Sequence, residues 1–148
     1  MSKAILQHVF SREDIDQTKV FLHGRSLGGA VVNYVMTNTN YPVAGVILEN
    51  TFTSIADLVD IMFPKLSFMK GYIQRNFWPS IDRVGKITQP ILFVMGKNSK
   101  KYIFSFIFSA MKDEIVPPDQ MVRLFSKAEK TVYKEKVNQF CLKGGKKN

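Results

Sequence analysis

A chain of 148 residues, 45% of them hydrophobic, is long enough for one domain with a real core. None of its apolar runs reaches the roughly 18–20 residues that a membrane-spanning helix needs. The net charge of +9 gathers late, on Lys127, Lys130, Lys134, Lys136, Lys143, Lys146 and Lys147. Only Tyr133 and Phe140 interleave those lysines, too few for base stacking, so nucleic acid is not the expected partner.

The opening "MSKAILQHVFSRED" carries charge close to each short apolar pair and is not a signal peptide. The single Cys141 excludes an internal disulfide and fits a reducing, intracellular compartment. It has no sequence-local partner for a metal, and none is expected.

Taken along the chain, "KAILQHVFSR" (3–12) spaces Ile5, Val9 and Phe10 for an amphipathic helix, and "EDIDQT" reads as a loop. "KVFLHG" (19–24) is a short continuous apolar run ended by glycine, the signature of a strand buried in a parallel sheet. From Ser26, "SLGGAVVNYVMTNT" has the spacing of a buried helix, which stops in "TNTNYP". "VAGVILEN" (43–50) reads as a second strand, and "TSIADLVDIMF" (53–63) opens with Thr/Ser caps and continues as a helix.

Residues 64–86 hold Pro, Gly and most of the large aromatics, suiting short helices or loops over the end of a sheet. "PILFVMG" (90–96) is the third strand, and "PPDQMVRLFSKA" (117–128) starts a helix with Pro and Asp in its first turn. "VNQFCL" (137–142) reads as a weaker fourth strand, within a basic tail at 130–148. Strand and helix alternate throughout, so the expected fold class is α/β: a parallel sheet with helices on both faces. The stretch 97–111, "KNSKKYIFSFIFSAM", breaks that rhythm and reads as a retained intron or a divergent insert.

"HGRSLGGA" (23–30) carries the chemistry. Gly24-Arg25-Ser26-Leu27-Gly28 fits G-x-S-x-G, in which a nucleophilic serine sits on a strained strand-to-helix turn. Residues without Cβ let strand and helix approach, which is the reason for Gly24 and Gly28. The Leu27 N–H, at the helix start, would face a developing oxyanion.

"DIDQTKVFLHGRSLGGAVVNYV", "GVILENTFTSI" and "KDEIVPPDQMVRLFS" in that order resemble the α/β-hydrolase superfamily, in its Bem46-like, abhydrolase-domain-13-like group. The resemblance runs from about residue 12 to 128, apart from 97–111. It implies a cofactor-free serine hydrolase acting on esters or thioesters, acyl-protein thioesters among them, with Ser, Asp and His in chain order.

Ser26 then matches the nucleophile, Asp113 the triad acid and Leu27 the first oxyanion donor. The implied partner is a small acyl ester or a lipidated substrate. The group's usual N-terminal anchor implies a membrane surface, so a membrane-associated location is expected for the full-length form.

No histidine follows Asp113. "LKGGKKN" places Lys146 where the family has its base, and a lysine in so basic a tail is expected to stay protonated and solvated. His23 is expected to lie buried beside the sheet with the wrong approach to Ser26, and His8 belongs to the first helix. The strands that precede the elbow in the family are also missing from this chain. Residues 1–148 therefore read as a partial α/β-hydrolase domain with little activity alone. The alternative is a catalytically dead module derived from a hydrolase. The aromatics of 63–78 suit either the wall of an acyl pocket or a cap packed on the core.

Overall fold

The apolar runs become strands and the periodic segments become helices. A computed structural model describes residues 2–62, 78–95 and 116–138. Its strands are β1 (Phe21–Arg25), β2 (Gly45–Glu49), β3 (Ile91–Met95) and β4 (Lys134–Asn138). The helices are α1 (Ser2–Ser11), α2 (Leu27–Asn38), α3 (Ile55–Met62), α4 (Ser80–Val84) and α5 (Pro118–Lys127). The stretch 97–111, Asp113, Cys141 and Lys146 lie outside the described residues.

All strand pairs are parallel and the order is β1-β2-β3-β4. Parallel crossovers are right-handed in nearly every protein. An order that never reverses therefore delivers each crossover helix to the same face. Val32 of α2, Val84 of α4 and Met121 and Leu124 of α5 accordingly share one core with Val46, Leu48, Ile91, Phe93 and Met95 of the strands. The two-sided cover expected from the sequence is thus described on one side only. On the other face an open groove of about 290 Å³ runs past Phe21, Ile47, Leu92 and Tyr133. It lies towards the amino ends of the strands, away from Ser26.

Local chemistry sets the helix ends. α2 stops where Thr37, Asn38 and Thr39 turn their side chains back to donate to the carbonyls of Asn33, Tyr34 and Val35, at 2.9, 2.8 and 2.8 Å. The Thr39 bond reaches Val35, one of the last four carbonyls that the helix end leaves open, while Thr37 and Asn38 back-bond to carbonyls of the preceding turn and compete with the helical ladder there. Before β1, Asp16 caps the short turn Gln17–Lys19 by accepting from the Thr18 N–H at 3.0 Å. The Lys19 ammonium and the Thr18 donors hold its carboxyl below the usual range.

The fourth strand starts at Lys134, not Val137, so the front of the expected basic tail belongs to the sheet. Its lysines are not merely solvated. Lys134 Nζ donates to the Phe125 carbonyl at 2.9 Å and lies 4.8 Å from the Phe125 ring centre, with Lys136 Nζ at 5.7 Å. The charged heads of β4 thus stack on and bond to the end of α5.

Candidate active site

Ser26 follows β1 directly and precedes α2. Its N–H donates to the Glu49 carbonyl at 3.0 Å, extending the β1–β2 ladder by one bond. The chain then turns sharply, with φ 50° and ψ −119° at Ser26. A positive φ on a residue with a Cβ is strained by about 1–3 kcal/mol and persists only where its surroundings impose it. Serine at a helix N-cap ordinarily bonds a main-chain N–H of the first turn. Ser26 makes no such bond, and the residue is exposed. Its hydroxyl does no capping work in the fold.

The turn is imposed from three sides. A Cβ built on Gly24 would lie 2.5 Å from the Gly28 carbonyl oxygen and 2.7 Å from Gly29 Cα, so α2 rests directly on β1. One built on Gly29 would lie 2.5 Å from both Thr51 Cβ and Thr51 Oγ1. The Ser26 carbonyl accepts from the Gly29 N–H at 3.0 Å and from Thr51 Oγ1 at 2.7 Å.

Gly28 is different: a Cβ there meets nothing within 4 Å. The steric demand attributed to Gly28 from the motif falls on Gly29 instead. Gly28→Ala should therefore stabilise α2 by about 0.5–1 kcal/mol, as a helical Gly→Ala change does where space allows. A thermal midpoint below wild type for the full-length protein would contradict that.

Leu27 is the first residue of α2, where main-chain N–H groups lack helical acceptors, and its side chain is exposed. The positive end of the helix faces the same way and favours negative charge there.

"ENTFTS" after β2 is the hub of the site, a role that the sequence did not reveal. Asn50 has φ 41°, and its N–H donates to the Val94 carbonyl at 3.0 Å, as Ser26 does one strand over. Thr51 and Thr53 are fully buried. The Thr51 N–H donates to Met121 Sδ at 3.2 Å, and the Thr53 N–H to Gln120 Oε1 at 3.0 Å, so this loop binds the first turn of α5. Val116, three positions after Asp113 in the sequence, packs in one cluster with Ala30 of α2 and Phe52. The available signal was position: two threonines directly following the strand next to the elbow.

His23 is corrected. It is not buried beside the sheet; its side chain is 55% exposed, and Nε2 lies 3.0 Å from Glu49 Oε2. It stands on the face opposite the helices, because Leu22 and Gly24 on either side turn inward. Arg25 Nε lies 3.8 Å from Glu49 Oε1 on that face. His8 is exposed on α1, as the sequence placed it. Trp78, at the end of the aromatic segment, packs edge-on against Tyr34 at 5.7 Å and joins the Ala30–Phe52–Val116 cluster. Among the described residues, no three of His, Cys, Asp and Glu gather to hold a metal ion. Nor is any helix there long and apolar enough to cross a membrane.

The fold is that of the α/β-hydrolases. Acylaminoacyl peptidase of Pyrococcus horikoshii superimposes with a TM-score of 0.61 at 15% identity, over 90% of this chain and 22% of its own. Acetyl xylan esterase of Paenibacillus sp. R4 gives 0.61 at 14%, over 91% and 43%. No family description matches the chain in a scan.

Curated relatives are nearer in sequence. The α/β-hydrolase domain-containing protein WAV2 of Arabidopsis thaliana is 36% identical over 138 residues, and protein bem46 of Schizosaccharomyces pombe 34% identical over 125. An uncharacterized membrane protein of Saccharomyces cerevisiae is 34% identical over 121 residues. The matches take in 82–86% of this chain and 37–40% of those relatives, so the chain spans about two fifths of their length. The chain belongs to the Bem46-like group of α/β-hydrolases.

Proposed function

We propose that the protein is a serine hydrolase of acyl esters or thioesters, with Ser26 as nucleophile, the Leu27 N–H as an oxyanion donor and Asp113 as the acid that orients the base. The observation that carries the reading is the backbone of Ser26. A strained, positive-φ serine with no capping bond, between a buried strand and a helix N-terminus, has a use in chemistry and none in the fold. The position of Val116 against Ala30 and Phe52 supports Asp113, since the chain that follows Asp113 returns to the elbow.

In this reaction Ser26 Oγ attacks the acyl carbonyl carbon and passes its proton to a general base. The oxyanion forms against Leu27 N–H and collapses, the bond to the leaving alcohol or thiol breaks, and the base returns the proton to that group. Water repeats the sequence and frees the acid and Ser26. His8 and His23 do not supply the base in this reading: one stands on α1 and the other is held by Glu49. A lipidated substrate at a membrane surface is the favoured class, supported by the relative named as a membrane protein.

A fluorophosphonate probe tests the assignment on the full-length protein. Labelling that maps to the peptide carrying Ser26, and vanishes after heat denaturation, is the expected result. A folded full-length protein that takes up no label would favour the dead module.

A further inference from the structure

We propose that Thr51 is a positioning residue for the oxyanion donor, acting through the peptide bond between Ser26 and Leu27. The inference rests on the serine hydrolase reading and names a part of its machinery that the motif does not contain. The peptide unit is planar and trans, so its carbonyl and its N–H point in opposite directions and turn together. Whatever fixes the Ser26 carbonyl therefore also aims the Leu27 N–H.

Two donors hold that carbonyl, Thr51 Oγ1 at 2.7 Å and the Gly29 N–H at 3.0 Å. The Gly29 bond is part of the helix start and travels with it. The Thr51 bond comes from the loop that follows the neighbouring strand β2 and ties the peptide plane to the end of the sheet. At Ser26, where φ 50° and ψ −119° lie outside the ordinary wells, the local backbone alone does not keep this plane.

Thr51 is itself rigid. It is fully buried, its N–H is bonded to Met121 Sδ at 3.2 Å, and its side chain fills the space that a Cβ on Gly29 would need. A hydroxyl on a buried residue whose backbone is bonded and whose side chain is packed is a fixed reference from which to aim a donor. Preorganised donors lose their advantage when misdirected, and small displacements cost orders of magnitude in rate.

The experiment compares wild type, Thr51→Val and Thr51→Ser in the full-length protein. Its readouts are kcat and KM for p-nitrophenyl acetate and the rate of Ser26 phosphonylation. Valine keeps the shape and removes the donor. It should lower kcat and phosphonylation about 10- to 100-fold with KM unchanged, less than the ~10²–10³-fold of deleting a donor outright. Serine keeps the hydroxyl without the methyl and should stay within about threefold of wild type.

If Thr51→Val labels at the wild-type rate, the positioning role is overturned and the hydrolase reading stands. A raised KM with unchanged kcat overturns it as well. If valine prevents folding, Thr51→Ser decides: retained kcat supports the hydroxyl, while a fall in kcat at an unchanged thermal midpoint overturns it. If wild type itself takes no label, the hydrolase reading and this role fall together.

Discussion

Alanine at position 26 is expected to lower ester hydrolysis by the full-length protein about 10⁴- to 10⁶-fold while leaving its stability within about 0.5 kcal/mol of wild type. The two halves of that result have separate origins. In the proposed reaction the rate falls because the only atom removed is the attacking oxygen. Stability holds because Oγ makes no cap bond and the residue is exposed, so the ~1 kcal/mol usually lost with an N-cap serine does not arise.

The strain is also unchanged, since alanine carries the same Cβ at φ 50°. Initial rates on p-nitrophenyl acetate beside a thermal melt read both quantities. Equal rates for the two proteins would remove Ser26 from the chemistry, whatever labels it. A large drop in the melting midpoint would give the hydroxyl a structural role that the geometry does not contain.

Gly24→Ala should do the reverse and destabilise by about 3 kcal/mol or more. The new Cβ would sit 2.5 Å from the Gly28 oxygen, 2.6 Å from the Gly28 carbonyl carbon and 2.7 Å from Gly29 Cα. All three are main-chain atoms, so no rotamer change relieves the contact. α2 must lift from β1, and lifting it separates Val32 from Val46 and Leu48 in the core. Because no described glycine, Gly24 included, has a positive φ, the cost is one of space and not of backbone freedom. Thermal unfolding of the full-length variant measures it. A midpoint equal to wild type would mean that helix and strand are less closely packed than the geometry states. Gly28→Ala, four residues away in the same motif, serves as the contrasting control.

Much of the fold was legible because hydrophobic patterning is local. β2 and β3 are short apolar runs whose side chains mostly leave water, and α2 and α5 carry the helical period through to their buried residues. β1 also forms from such a run, but it is not the buried strand expected: only Gly24 is buried, and Phe21, His23 and Arg25 are exposed on the face that the described helices leave open. β4 was misplaced for the opposite reason. "KEKVN" is rich in charge, and lysines that cover Phe125 cannot be told from solvated ones before Phe125 is known to lie beneath them.

The elbow motif was legible in the same local way, down to Ser26 and its helix. His23 was assigned to the interior because it sits in an apolar run. A strand alternates faces, however, and only the placement of α2 decides which face is covered.

What the sequence by itself determined is the set of pieces: strand, glycine-flanked serine and helix, in an order that resembles one superfamily. Each follows from interactions among residues a few positions apart. What only the tertiary structure decided is how the pieces meet. The unreversed strand order sends the described helices to one face. The close contact of α2 with β1 and β2 moves the steric burden from Gly28 to Gly24 and Gly29. Thr51, 25 positions from Ser26, comes to hold the carbonyl that aims the Leu27 N–H. Such contacts join residues distant in the chain, and their energies depend on separations of a few tenths of an ångström that no local pattern encodes.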